Sequence, residues 1–356
     1  MTAIFSQPPR TFPKHPRMFA LHATPAPISS GQPSRSSHAA DAATMSRVPI
    51  AALLRQETAS SASTAVEHFS DQGRTYYRIQ NDMYIFPSDD IEFERLDVIH
   101  SLIYQVALNN QLHVAVLRTN PRRILDIGYG TGFWMLDMET KYPGAEITGI
   151  DMEEPPAGVK SNGRLNFRSS VDFTAPRWPV EDSSVDLVHM AQLLGCVPNW
   201  SDHYTKAYRS LRPGTGQIEH VEIDWTPRSY ASGFPHNATD LWNWWGWMLQ
   251  ASERAGKPLA YRDDTESLLE GAGFVDVSHK RVRVPLCGSD RRDRQEKQLA
   301  HGYQMTMGYT GSQSFTGMSM ALFTRYLNMS PRDVEQICAR ALQVVQQGEL
   351  PLYINL

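Results

Sequence analysis

The sequence predicts an α/β protein on a mostly parallel, doubly wound sheet, and three observations predict it. Ile124 to Gly132, ILDIGYGTG, reads as a short buried strand running straight into a glycine-rich turn. A second apolar segment, Glu146 to Ile150, ends in Asp151. Further short strands alternate with helical patterns as far as Asp224, the rhythm of strand-helix-strand units.

The turn sets the chemistry. Gly128, Gly130 and Gly132 let the backbone bend sharply and approach a ligand closely. A dinucleotide fingerprint places two residues after its middle glycine, whereas the spacing here is G-x-G-x-G, preceded by Asp126. A carboxylate ahead of the glycines repels a pyrophosphate and suits an ammonium or, through water, a cationic ligand. Asp151, with Met152 behind it, stands where an acidic side chain takes ribose hydroxyls. The pattern resembles the first motif of class I S-adenosylmethionine-dependent methyltransferases. That resemblance implies a Rossmann-like, seven-stranded fold with a helical lid and insertions.

Taken in order, residues 1–65 are rich in Pro, Ser, Ala and Thr and poor in aromatics, which predicts a disordered tail. Its one apolar island, Val48 to Arg55, reads as a partner-bound helical turn or a chance cluster. Residues 66–356 then form the methyltransferase domain, opening on a helical lead-in at 66–120. Order is expected from near Thr75, and Asp89 or Asp90 caps a helix to Leu108, with Ile91, Leu96, Ile99, Leu102, Ile103 and Val106 at helical spacing. This lead-in reads as a lid.

The cofactor-binding core occupies 121–224. A helix over Phe133–Tyr142 follows the glycine turn, and Leu165–Arg168 is a third strand. At its carboxyl end Asp172 can accept an adenine amino group, with Phe173 against the ring, or it caps a helix. The fourth strand, Val185–Met190, delivers Met190 and Gln192 towards the reactive part of the ligand. A helix over Ser201–Leu211 leads to a fifth strand, Gly216–Asp224, too polar for a wholly buried centre, so Glu222 and Asp224 read as pocket residues.

Residues 225–356 form the substrate cover and C-terminal half. A helix over Ala238–Glu253 carries Trp242, Trp244, Trp245 and Trp247, more indoles than one core stripe takes. Trp242 and Trp245 are read as pocket-lining. After a helix at Thr265–Ala272, strand six is expected at Lys280–Leu286 and a final strand at Pro351–Leu356, separated by a charged, helical insertion.

Bulk properties exclude several classes. A formal net charge of -4 and a pI near 6.3 argue against direct, non-specific nucleic-acid binding. The three cysteines share no metal-ligand spacing, no metal site is read, and the odd count speaks for a reducing compartment rather than a disulfide scaffold. No run approaches the ~20 apolar residues that span a bilayer, and prolines and basic residues break the first seventeen positions where a signal peptide's apolar core would lie.

With these elements placed, residues 72–356 resemble the fungal LaeA family, the methyltransferase-like global regulators of secondary metabolism and development. The matching stretches are GRTYYRIQNDMYIFPSDDIEFERLDVIH, ILDIGYGTGFWMLDMETKYP, DLVHMAQLLGCVPNW, LRPG and VEIDWTPR. The resemblance implies S-adenosyl-L-methionine as cofactor, transcription regulation from the nucleus, with the cytoplasm also compatible, and velvet-domain proteins as partners. Asp126, Gly128, Gly130, Gly132 and Asp151 match the motif, whereas Tyr129 stands where Cys is more usual. Two readings follow: a nuclear regulator working inside a velvet-type complex, or a pathway methyltransferase acting on a small O, N or C nucleophile. Methyl transfer from a sulfonium is an in-line displacement that rests on positioning, with a base needed only for a protonated acceptor. His189, His203 and His220 are the histidines considered, and none is assigned as a base.

Overall fold

The computed structural model describes residues 21–25, 66–79, 82–117, 120–156, 158–287, 293–308, 313–347 and 350–356. Four short strands come first: β1 (Leu21–Pro25), then a meander of β2 (Val66–Asp71), β3 (Arg74–Ile79) and β4 (Asp82–Met83). The β2–β3 hairpin closes on Gln72 and Gly73, both at positive φ (50° and 75°), the two-residue turn whose twist matches the strands it joins. Strand β2 thus precedes the Thr75 at which order was expected, and the lead-in opens as a sheet rather than a helix. Gly73 carried the hairpin signal.

Helix α1 (Asp90–His100) follows, and Asp89 caps it by accepting from the Glu92 amide at 3.1 Å. Arg74 grips the same carboxylate through two bonds of 2.7 Å, fixing the helix to the meander. The helix continues without a break into seven residues of wider π-type turns, Ser101–Ala107.

The central sheet is formed by β5 (Arg123–Ile127), β6 (Glu146–Ile150), β7 (Leu165–Arg168), β8 (Leu187–Ala191) and β9 (Gln217–Val221), all parallel. Leu125, Ile127, Ile147, Ile150, Leu187 and Val188 are fully buried, as strands covered on both faces require. Helix α2 (Phe133–Lys141) connects β5 to β6, and α3 (Trp200–Ser210), capped by Asn199, connects β8 to β9. Strand β10 (Asp224–Ser229), the tryptophan helix α4 (Thr239–Arg254), α5 (Thr265–Gly271), β11 (Phe274–Ser278) and β12 (Arg283–Pro285) come next. Helices α6 (Arg294–Gly308), α7 (Gln313–Tyr326) and α8 (Pro331–Gln346) lead to β13 (Leu352–Asn355).

The sheet has seven strands in the order β11-β1-β9-β8-β5-β6-β7, but two of its members differ from expectation. Strand β1 lies antiparallel between β9 and β11, so residues 21–25 belong to the sheet and not to a disordered tail. The rest of 1–65, including the Val48–Arg55 island, lies outside the described residues. The sixth strand is Phe274–Ser278, while Arg283–Pro285 and the C-terminal strand join β10 in a separate three-stranded sheet. With the place beside β9 filled by β1, the C-terminal strand pairs with β10 and β12 instead. The helical insertion α6–α8 therefore sits within that second sheet, not between two strands of the main one.

The tryptophan helix divides as its period demands. Trp244 and Trp245 are buried, Trp244 donating to Ser319 Oγ at 2.7 Å and Trp245 to Thr226 Oγ1 at 3.0 Å. Trp242 remains 48% exposed beside Phe234.

Candidate functional site

A cleft of about 350 Å³ opens at the carboxyl ends of the parallel strands, where a doubly wound sheet holds its ligand. The glycine turn forms its floor. Gly128 has φ +71°, and a Cβ on it would stand 2.6 Å from Leu193 Cδ2. Gly130, at φ +52°, would bring a Cβ no nearer than ordinary contact with Leu96 Cδ1 (4.0 Å) and needs glycine for its conformation rather than its size. Gly132 does not line the cleft. It packs beneath it, where a Cβ would meet the Phe167 ring at 2.7 Å.

Asp151 leaves β6 directly into the cleft. Its two oxygens accept from the amides of Gly130 (2.9 Å) and Glu153 (3.1 Å), tying the turn to the second strand. Burial pushes its carboxyl up to about 6, against the lowering effect of those amide bonds. Because the folded value lies above the unfolded one, the empty protein loses stability as pH rises from about 4 through 6. Binding has the opposite sign. A ribose diol donates to the ionised carboxylate, so affinity for an adenosyl ligand should fall by roughly tenfold per pH unit below about 6. Calorimetric titrations on either side of that value would read the slope, and a flat profile would show that Asp151 does not take the diol.

Register builds the polar row behind the turn. Asp126 on β5 lies beside His189 on β8, and His189 beside Glu219 on β9. His189 Nδ1 meets Asp126 Oδ1 at 2.7 Å, and its Nε2 meets the Tyr104 hydroxyl at 2.7 Å. The π-type turns of the lead-in bring Tyr104 there, and Trp134 stacks flat on the imidazole at 3.6 Å. Glu219, fully buried, accepts from the amides of Val114 and Ala115 at 2.8 Å each.

Tyr129 fits without blocking the cleft. Its ring packs edge-on to Phe167 and against Gly149, where a Cβ would come within 2.8 Å of it. Its hydroxyl donates to the Glu153 carbonyl at 2.5 Å and lies 2.9 Å from Ser169 Oγ. Tyr129→Phe should therefore cost about 1 kcal/mol of stability in a urea titration while leaving ligand affinity near wild type. A large loss of affinity instead would put the hydroxyl in the binding site.

Asp172 and Phe173 line the cleft. Asp172 Oδ1 also accepts from the amide and hydroxyl of Thr174 (2.7 and 2.6 Å), so it holds a turn rather than capping a helix. The carbonyls of Phe173, Thr174 and Ala175 converge on the buried Lys206 ammonium at 3.1, 3.1 and 2.9 Å, which fixes this wall. Met152 and Gln192 also line the cleft. Met190 does not: strand alternation turns it into the core, fully buried, and presents His189 instead.

The substrate-pocket expectations divide. Glu222 and Trp245 line a small inner chamber of about 50 Å³, which shares Tyr84, Leu96, Ile99 and Gln192 with the main cleft. Asp224 and Trp242 line neither. Asp224 is consumed by Arg228 and the Thr226 amide, which start β10. Tyr84, Thr131, Trp134, Cys196 and Lys257 were not expected in the cleft. Trp134, one residue into the helix after the glycine turn, was the most readable of them.

Carboxylates dominate the cleft wall: Asp126, Asp151 and Asp172 against one lysine, Lys257, among the described residues. That balance suits a sulfonium and disfavours a polyphosphate. Neither imidazole of the cleft stands clear of partners, His189 being held at both nitrogens and His100 Nε2 lying 2.9 Å from Asp137. His203 is boxed by Phe173, Trp178 and Trp200, and burial drives its pKa well below the usual histidine value. His220 lies between Tyr204 and Glu222. Among the described residues no three His, Cys, Asp or Glu side chains converge to hold a metal, and no helix is long and apolar enough to cross a membrane.

Comparison with known proteins agrees with this geometry. A family model described as a methyltransferase domain matches residues 103–279. The chain is 37% identical over 242 residues to the secondary metabolism regulator LAE1 of Cochliobolus heterostrophus, covering 67% of this chain and 77% of that protein. It is 32% identical over 286 residues to a protein of Emericella nidulans named protein-methionine methyltransferase laeA, covering 80% and 73% respectively. It is also 32% identical to the secondary metabolism regulator laeA of Monascus pilosus, covering 88% of this chain and 85% of that one.

Proposed function

The chain belongs to the LaeA family of secondary metabolism regulators and is an S-adenosylmethionine-dependent methyltransferase, and from that membership we propose that it acts in the nucleus, regulating transcription within a complex with velvet-domain proteins. The observation that carries the catalytic part is Asp151, aimed into a carboxylate-walled cleft beside a glycine turn. Asp151 takes the ribose hydroxyls, the wall at Asp172 and Phe173 holds the adenine, and the turn seats the amino-acid end of the cofactor. The cofactor supplies an activated methyl group. The protein's own contribution is to align the acceptor with it and to keep water out.

The acceptor in this reading is a protein side chain that needs no deprotonation. The Emericella relative's name points to a methionine thioether, and the occupied imidazoles of the cleft fit such an acceptor. A second reading, a pathway enzyme methylating a small nucleophile, is favoured by the enclosed inner chamber.

Gly128→Glu with Gly130→Glu tests the two in the native cell, since the first substitution collides with Leu193 and the second projects a carboxylate into the cleft. The regulator reading expects transcripts of several secondary-metabolite pathways to fall together, and velvet-domain proteins to copurify with the wild type from nuclei. Normal transcripts with one unmethylated metabolite accumulating would establish the pathway enzyme instead.

A further inference from the structure

The inner chamber contains two buried donors without partners. Arg95 is 7% exposed and pairs with Glu92 through its Nε and Nη2, at 2.9 and 2.5 Å, while its Nη1 meets no acceptor. Gln192 Nε2 is likewise buried and unpaired. Both residues line the chamber, and Gln192 lines the cofactor cleft as well. A buried donor without a partner has given up its bonds to water for nothing in return, and a guanidinium gives up more, so two in one cavity are expensive for structure alone. Gln192 adds a second cost, because its backbone sits at φ +57°, a left-handed conformation unusual for a side-chain-bearing residue. Its amide is anchored there on the Val221 carbonyl at 2.9 Å, which keeps the residue at the doorway between cleft and chamber.

The rest of the chamber narrows what these donors await. Its carboxylates are engaged, Glu92 by Arg95 and Glu222 by the Leu193 amide and His220 Nε2 at 2.6 and 2.9 Å. The Glu92–Arg95 pair is neutral overall, and Glu222 adds negative charge, so an incoming anion meets no net attraction. Phe86, Leu194, Trp225 and Trp245 supply apolar walls. About 50 Å³ admits a group of a few heavy atoms, well under the ~150 Å³ that holds a benzene ring.

We propose that this chamber is the methyl-acceptor subsite, in which a neutral carbonyl oxygen of the acceptor, amide or ketone, accepts from Arg95 Nη1 and Gln192 Nε2 while the nucleophile beside it projects into the cofactor cleft. The inference rests on the methyltransferase reading above and names what that site recognises. The role of Arg95 is binding and orientation. Glu92 is its positioning partner, holding the guanidinium so that one donor is left over.

The test uses the full chain saturated with S-adenosylhomocysteine, with ligand-observed magnetic resonance of three probes. N-acetylmethionine N-methylamide represents a peptide source of the carbonyl, acetone a small-molecule source, and acetate an anion. Arg95→Met alone strands a buried carboxylate, so the comparison variant is Glu92→Met with Arg95→Met, which removes the pair together and is the better tolerated change. We expect one carbonyl probe to bind the wild type and to weaken by roughly tenfold in the double variant, with S-adenosylhomocysteine affinity within about twofold of wild type. Whichever carbonyl probe binds identifies the source. Acetate as the only binder, no binding by any probe, or an undiminished carbonyl probe in the double variant would overturn the proposal. So would a parallel loss of S-adenosylhomocysteine affinity, which would assign Arg95 to the cofactor. Failure of S-adenosylhomocysteine to bind the wild type is a separate result that removes the cofactor assignment and this inference with it.

Discussion

Asp151→Ala is expected to weaken S-adenosylmethionine binding by roughly a hundredfold, the loss of two hydrogen bonds to a charged acceptor at about 1.5 kcal/mol each. The fold should survive. The carboxyl is already an unfavourable burial, pushed up to about 6, so its removal relieves a desolvation cost even as the Gly130 and Glu153 amides lose an acceptor. The Gly130 amide borders the cleft and can turn to water. Calorimetry at a pH near 8 separates affinity from stability, because there the carboxylate is ionised in the wild type. Wild-type affinity in the variant would remove Asp151 from the cofactor site.

His189→Leu should be the most destabilising single change at the site, by about 3–5 kcal/mol, or roughly 10 °C in melting temperature. The imidazole bridges Asp126 and Tyr104 with both nitrogens, and Trp134 covers its face. Removing it leaves the Asp126 carboxylate, 3% exposed, without its partner beneath the turn. Asp126→Leu combined with His189→Leu should recover much of that loss, since no buried charge is then stranded. A double variant as unstable as His189→Leu alone would mean that packing with Trp134, rather than the Asp126 contact, accounts for the cost.

Much of this site was readable in the chain because its signals are local. Strand, glycine turn and Asp151 follow one another within 28 positions, and each implies a backbone conformation or a chemistry on its own. Asp172 and Gln192 were legible for the same reason, each standing just past the end of a parallel strand.

What escaped depends on pairing between distant segments. His189 was visible as a residue, but its bond to Asp126 follows from the β5–β8 register and its bond to Tyr104 from a π-type turn that no spacing announced. Met190 stands at the carboxyl end of its strand in sequence, but strand alternation turns its side chain into the core and aims His189 at the cleft. Of the polar residues around β9, Glu222 and Asp224 read as pocket residues, and Glu222 does line the inner chamber while holding the Leu193 amide, whereas Asp224 holds the start of β10 and Glu219 braces the Val114 and Ala115 amides. A carboxylate bonded to backbone has no signature in sequence that separates it from one awaiting a substrate. The seventh strand of the sheet was sought at the C-terminus, whereas it comes from residues 21–25, in a stretch whose composition argued for disorder.

The central claim is that the cleft at Asp126, Gly128 and Asp151 binds S-adenosylmethionine, and isothermal titration of the full chain with that ligand tests it most directly. The account predicts saturable one-to-one binding, weakened as pH falls below about 6 and abolished by Gly128→Glu with Gly130→Glu in protein whose circular dichroism remains native. Folded wild-type protein that releases no heat and gains no thermal stability at saturating S-adenosylmethionine would contradict it.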